Sequence, residues 1–357
     1  MRGRPSSYRG VSLSTVPVEL ERERRKPLTP FQILSYAVLV IAALVVVVAF
    51  FDGPKTFTQV LVIGLSNGAL YALIALGYTM VYGIIELINF AHGDLFMMGS
   101  VLAAIFIEDR LNQTKSSPKA WLLLAVVMVV VMILCATFNV IIERLAYRRL
   151  RNAPKLAPLI TAIGMSFILQ NVGLLWRPTP DSAPDLIGSQ KDYFSIFGVA
   201  IEHSDVFAVI VTVPLLVGLL WFVGRTKYGK AMRATAQDMD AARLMGIDVD
   251  RTISLTFLLG GLLAGAAGLI YALYNGTVQF NQGFTAGLIA FTAAVMGGIG
   301  NLKGAVVGGL IIGIIQQTVE SRVTDGSAWA PVAVFAILVL VMVFRPQGLF
   351  GEETREG

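Results

Sequence analysis

The stretch Ile88-Asn89-Phe90-Ala91-His92-Gly93-Asp94 places three polar side chains inside a run that is otherwise largely apolar from Val60 to Ile107. An amide, an imidazole and a carboxylate so close together could ligate a metal, move a proton, contact a ligand or fix a turn between two helices. The metal reading finds no support: His92 and His203 are the only histidines and lie far apart, and the single cysteine, Cys135, sits within an apolar run. No Gly-x-Ser-x-Gly elbow and no separated acid and base pair appear, so no catalytic residue is expected and the chain is not read as an enzyme. Nor is there a Gly-rich phosphate loop of the G-x-x-x-x-G-K-[ST] type, so the chain holds no ATP and no other cofactor by itself.

Two readings of the stretch remain. In the first, it turns the chain at the inner membrane face, with Asn89 accepting at a helix start, Gly93 allowing close approach and Asp94 favoured in a first turn by the helix dipole. In the second, the turn enters the bundle, and Asn89, His92 and Asp94 line a translocation path. Asn67, in the small-residue run from Gly64 to Gly68, is the next polar candidate for that path.

A second constellation lies in residues 225–251, a long connection for a compact bundle. Met232, Ala236, Met239, Ala242 and Met245 recur at helical spacing, with Arg233, Asp238, Asp240 and Arg243 on the flanks. This predicts one short amphipathic helix that Gly246 can end, with Asp250 capping the helix that follows. Methionine stripes adapt to other surfaces, so the stripe suits either another protein's groove or the membrane and bundle of the chain itself.

These segments must be positioned by membrane helices. Of the 357 residues 55% are apolar and only 14% charged, far from the roughly 25% of a soluble domain. Apolar runs near the length needed to cross roughly 30 Å of hydrocarbon fall at 31–51, 58–81, 84–107, 120–142, 158–176, 206–224, 252–273, 284–300, 303–319 and 328–344. The expectation is an all-α polytopic membrane bundle of about ten helices. No cleavage site directly follows 31–51, which reads as an uncleaved anchor. Threaded with the N-terminus inside, 21 of the 28 Lys and Arg fall on the inner side, so both termini are expected in the cytoplasm. The net charge of +5 follows from this topology; with no basic surface interleaved with aromatics, nucleic acid is not expected as a partner. Glycines crowd residues 284–319, which fits two full spans or a re-entrant hairpin. No fixed-period repeat is visible, and most spans lack the ionisable residues of a self-powered carrier.

Several ordered segments together resemble a known family, the LivH-type permease subunits of branched-chain amino-acid ABC importers. They are GLSNGALYALIALGYTMVYGIIELINFAHGDLFMMGS (64–100), IERLAYRRLR (142–151), LITAIGMSFILQN (159–171), the block from Tyr228 to Val278, GFTAGLIAFTAAVMGGIGNLKGAVVGGLIIGI, and FRPQGLFG (344–351). The likeness covers residues 56–351. A tail over 1–30, an additional anchor helix with a short outer loop over 31–55 and a tail over 352–357 lie outside it. The resemblance implies an inner-membrane importer in which partner subunits use ATP: two cytoplasmic ATPases, a second related permease and an extracytoplasmic solute-binding protein. It also implies that Met232, Arg233, Met239, Ala242, Arg243, Met245 and Gly246 belong to the segment that docks on the ATPase. The same machinery with another cargo, such as urea, short amides or aromatic acids, fits equally. A channel or ion-driven carrier acting alone, or a membrane scaffold, are readings of a different class.

Overall fold

The computed structural model describes residues 53–110, 118–151, 153–154, 156–178, 181–182, 192–196, 199–345 and 347–351. Helix α1 runs over Pro54–Ile85, starting on a proline whose missing N–H costs nothing in a first turn. Helices α2 (Ala91–Ile105), α3 (Pro118–Ile142), α4 (Leu156–Trp176) and α5 (His203–Arg225) follow. Two short helices, α6 (Lys227–Gln237) and α7 (Met239–Leu244), lead into α8 (Val249–Asn275), α9 (Gln282–Gly297), α10 (Leu302–Arg322) and α11 (Gly326–Phe344). Among the described residues, strands form two small antiparallel pairs: β1 (Asp181–Ser182) with β4 (Thr277–Val278), and β2 (Asp192–Ile196) with β3 (Val199–Glu202).

Among the described residues, eight helices are long and apolar enough to cross a membrane. Helix α9, with 16 residues, is shorter at about 24 Å. The expected span 31–51 and both terminal tails lie outside the described residues. Burial sorts the helices into two layers: 83% of the apolar window of α2 is buried, against 11% of that of α11. Helices α1, α2 and α8 form the core, and α3, α4, α5 and α11 present Leu, Ile, Val and Phe outward, as a lipid solvent requires.

Core helices pack through glycine. A Cβ at Gly68 would lie 2.8 Å from Leu310 Cα, and one at Gly309 would lie 2.6 Å from the Ala72 nitrogen, so α1 and α10 touch backbone to backbone. On the other side, Gly261 and Gly265 of α8 stand equally close to Ala136 and Met132 of α3. The glycine-rich 284–319 segment folds as a hairpin of α9 and α10, and residues 349 and 350 bind its turn. Leu349 N–H donates to Met296 C=O (2.7 Å), Phe350 N–H to Gly297 C=O (3.1 Å), and Asn301 Nδ2 to Phe350 C=O (2.9 Å). That pairing accounts for the Gly-Leu-Phe-Gly end, because Gly348 takes φ +75° and lies against Gly298, itself at φ +104°.

The chain also contains a repeat that the sequence reading does not find. Helices α1 and α8 each end on a left-handed residue, Glu86 (φ 50°) and Gly276 (φ 64°). Each is followed by a short link and a new helix that opens on Phe-x-x-Gly, Phe90 to Gly93 and Phe280 to Gly283. The contacts are reciprocal: α1 packs on α10 as α8 packs on α3, and α2 packs on α8 as α9 packs on α1. The matching contacts make α1–α2 and α8–α9 two copies of one internal repeat, each with an interrupted helix.

Candidate functional site

The two broken helices meet at their N-termini. Residues 86–90 do not stay at the end of α1, as the inner-face reading expects. They climb back into the bundle, and α2 opens at Ala91 with the His92 ring against Gly77, eight residues above the end of α1, or about 12 Å. Only glycine fits there, since a Cβ at position 77 would fall 2.0 Å from His92 Nε2. Tyr78 meets the His92 ring edge-on, with centroids 5.0 Å apart. Gly93 lies against Gly283 and Gly287, which brings the first turn of α9 onto the first turn of α2.

Asp94 occupies that first turn and is fully buried. One of its carboxylate oxygens, Oδ2, accepts from Ser166 Oγ of α4, and Gln170 Nε2 donates to the same Ser166 oxygen at 3.2 Å. The other, Oδ1, has no hydrogen-bond partner among the described residues. A lone carboxylate at this depth is costly, and the two converging helix N-termini supply the compensating positive field. Asn89 does not cap α2 as expected; Phe90 holds the cap position, and Asn89 Oδ1 accepts from Tyr147 Oη at 2.7 Å. Asn139 Nδ2 donates to the Phe257 carbonyl at 2.6 Å, tying α3 to α8 alongside. Asn89, His92 and Asp94 are thus gathered in one place. Asn67 is half-buried on α1, ten residues toward its start from Gly77, about 15 Å away.

Next to the start of α8, residues 225–251 form two helices rather than one. Asp238 breaks the run by capping α7: its side chain accepts from the Asp240 N–H (2.8 Å) and the Ala241 N–H (2.9 Å). The methionine stripe therefore divides. Met232 and Ala242 are buried against the chain's own core and Met239 is partly buried, whereas Leu244 and Met245 stand 89% and 82% exposed at the tip. Arg233 is fixed by donating to the Val223 carbonyl at the end of α5, and Arg243 pairs with Asp240 at 3.0 Å on the surface. Gly246, at φ +82°, ends the hairpin as expected. The next helix is capped by Asp248, which accepts from the Arg251 N–H at 3.0 Å, and Asp250 lies in the first turn instead.

A third cluster went unread in the sequence, although its residues lie within IERLAYRRLR. Past Ile142 the α3 rod continues through a π-helical turn, Glu143–Tyr147, and a 3-10 turn, Arg148–Leu150. The wider turn points Glu143 inward, where it is fully buried and accepts from Arg148 Nε (3.2 Å), Ser254 Oγ (2.7 Å) and Arg151. Glu143→Ala is expected to cost about 1–3 kcal/mol: Arg148 keeps Ser254 and Arg151 keeps Asp250, but both lose their buried carboxylate and Ser254 Oγ loses its acceptor. A lowered melting temperature in detergent, partly restored in Glu143→Gln, is the check.

Three comparisons place this geometry. The family described as branched-chain amino acid transport system, permease component, matches residues 60–343. The high-affinity branched-chain amino acid transport system permease protein BraD of Pseudomonas aeruginosa is 40% identical over 298 residues, 83% of this chain and 96% of that one. LivH of Escherichia coli K12, with the same description, is 39% identical over the same shares, and a probable LivH of Methanocaldococcus jannaschii is 28% identical over 306 residues, 80% of this chain and 90% of its own. No solved structure matches. A buried polar junction between broken helices, eight apolar spans and a match across nearly the whole described bundle make this chain a multi-pass membrane protein that belongs to the branched-chain amino acid transport permease family and is not an enzyme.

Proposed function

We propose that this permease is the membrane subunit of an ATP-driven importer in the inner membrane and moves branched-chain amino acids by alternating access. Two cytoplasmic ATPase subunits drive it, a second related permease completes the path, and an extracytoplasmic solute-binding protein delivers the cargo. The observation that carries this reading is the α6–α7 hairpin: two large apolar side chains, Leu244 and Met245, are held out on a support whose own methionine and alanine are packed inward. An exposed apolar tip on a rigid base suits a groove on a motor subunit. Met232, Met239 and Ala242 brace the tip, Arg233 and Arg243 flank it, and Gly246 turns the chain into α8.

The orientation follows from charge, with the hairpin and both termini in the cytoplasm and about ten spans in all. The path passes the junction of α1 and α2, where Asn89, His92 and Asp94 form the gate and Asn67 stands on its outer side. Three groups at a break between helices move together when α2 tilts, so motion received at the hairpin opens or closes the path. The chain needs no cofactor for this.

Reconstitution tests the reading directly. Proteoliposomes holding the permeases, the ATPases and the binding protein are expected to accumulate leucine only with ATP, and liposomes holding this chain alone are expected to show no flux. Flux from the chain alone would identify a channel or an ion-driven carrier. ATP-dependent uptake of urea or short amides in place of leucine would keep the machine and change its cargo.

A further inference from the structure

The inner ends of α3 and α8 enclose a groove of about 660 Å³. Its mouth carries Arg144, Arg148 and Arg251 with Asp248 and Asp250, and its wall is Val140, Leu255 and Leu258. Val140 lies one helical turn deeper than Arg144, about 6 Å, and Leu255 and Leu258 lie one and two turns deeper than Arg251. Ile141 and Leu145 beside it are 44% and 66% exposed. Charge at the rim with apolar wall one turn below matches the boundary between headgroups and acyl chains.

The charges at the mouth are not equivalent. Asp248 is bonded to Arg251 at 2.9 Å, Asp250 to Arg151 at 2.5 Å, and Arg148 to both Glu143 and Ser254. Every acid at the mouth is thus engaged by an arginine. Arg144, exposed and lining the groove, has no acidic partner among the described residues. The mouth keeps one unspent positive charge, aimed where a lipid phosphate would lie.

We propose that this groove binds one anionic phospholipid of the cytoplasmic leaflet, with its phosphate on Arg144 and its acyl chains along Val140, Leu255 and Leu258. The leaflet rests on the orientation proposed above; the chemistry of the groove does not. A basic recess between membrane helices is the form that anionic headgroups fit, and arginine pairing offsets the charge of both aspartates at the mouth. The lipid would brace the α3–α8 contact at the end of the helix that leads out of the α6–α7 hairpin.

The test uses the full chain, delipidated in detergent and titrated with phosphatidylglycerol or phosphatidylcholine under native mass spectrometry. Phosphatidylglycerol is expected to be retained at about fivefold lower concentration, the effect of one arginine at an anionic surface. Arg144→Gln is expected to abolish that preference, Arg144→Lys to keep most of it, and Arg149→Gln, an exposed arginine outside the groove, to leave it unchanged. Leu258→Trp, which narrows the wall, is expected to weaken retention of both lipids. Equal retention of the two lipids by the unaltered chain, or an unchanged preference in Arg144→Gln, overturns the proposal. A photo-crosslinker at position 258 in intact cells is expected to yield lipid adducts; adducts with an ATPase or a second permease overturn it as well. The titration needs no partner protein, so failed uptake with the lipid preference intact counts against the transport reading alone.

Discussion

Alanine at Gly93 or at Gly283 is expected to remove most folded protein from the membrane. A Cβ at position 93 would lie 2.5 Å from the Gly283 carbonyl oxygen and 2.7 Å from Gly287 Cα. One at position 283 would lie 2.7 Å from the Gly93 carbonyl oxygen and 2.9 Å from Asp94 Cα. These neighbours are backbone atoms of two helices in direct contact, so no side chain can swing away to make room. Overpacking a core costs about 1–3 kcal/mol even where side chains can adjust, and here the first turns must part and withdraw the field that offsets Asp94. A loss of about 3 kcal/mol corresponds to a fall of roughly 10 °C in apparent melting temperature. The two substitutions strain one contact, so the double variant is expected to lose clearly less than the sum of the single losses. Gly164→Ala is the control: nothing lies within 4 Å of its added methyl, and alanine in a helix interior gains about 0.5–1 kcal/mol over glycine. If Gly93→Ala expresses and melts like the unaltered chain, the two N-termini do not meet as described.

That junction shows where the sequence is readable and where it is not. The apolar runs from 120 to 344 fall close to the helices observed, because lipid demands uninterrupted backbone hydrogen bonding and long apolar runs leave little choice. The first turn is a harder case. Gly83 stands in the expected break between 81 and 84, yet α1 continues through it, and a side chain there would meet Gly300 only at ordinary contact distance. The break falls instead on Glu86, a residue without special preference for the left-handed conformation it adopts, so tertiary packing decides it. The partner break at Gly276 does carry a glycine, but the two copies share little beyond Phe-x-x-Gly, and 190 residues separate them. In the 225–251 segment the error is one of continuity. A helical wheel drawn through Met232 and Met245 assumes one axis, and Asp238 in Gln237-Asp238-Met239-Asp240 carries a capping signal that redirects it. Burial of Met232 then follows from α6 lying against α1 and α8, which no single-helix pattern could reveal. Glu143 was missed because a π-turn shifts its direction away from the one its place in a regular helix implies.

The division of the methionine stripe produces the second large effect. Leu244→Glu combined with Met245→Glu is expected to lower ATP-dependent uptake more than tenfold while leaving the amount and stability of the permease unchanged. Both side chains project from the tip, and neither belongs to the packed core of the chain, so charge placed there costs the isolated subunit little. A carboxylate pushed into an apolar groove on a partner costs the complex at least about 2 kcal/mol at an anchoring position, or about 30-fold in affinity. The base of the hairpin separates docking from folding. Thr226 Oγ1 accepts from the Gly229 N–H at 3.0 Å to start α6, and Gly229 lies so close to the Val223 carbonyl that a Cβ there would stand 2.2 Å away. Met232→Glu and Ala242→Glu would put charge into this closed base and are expected to reduce folded protein instead of transport alone. Arg243→Ala, which removes only a surface pair with Asp240, is expected to change the salt dependence of ATPase association and little else. Copurification of the ATPases and leucine uptake in membrane vesicles, measured on the same preparations, distinguish these outcomes. Normal uptake and normal ATPase recovery with glutamate at both 244 and 245 would show that the motor engages the permease somewhere other than this tip.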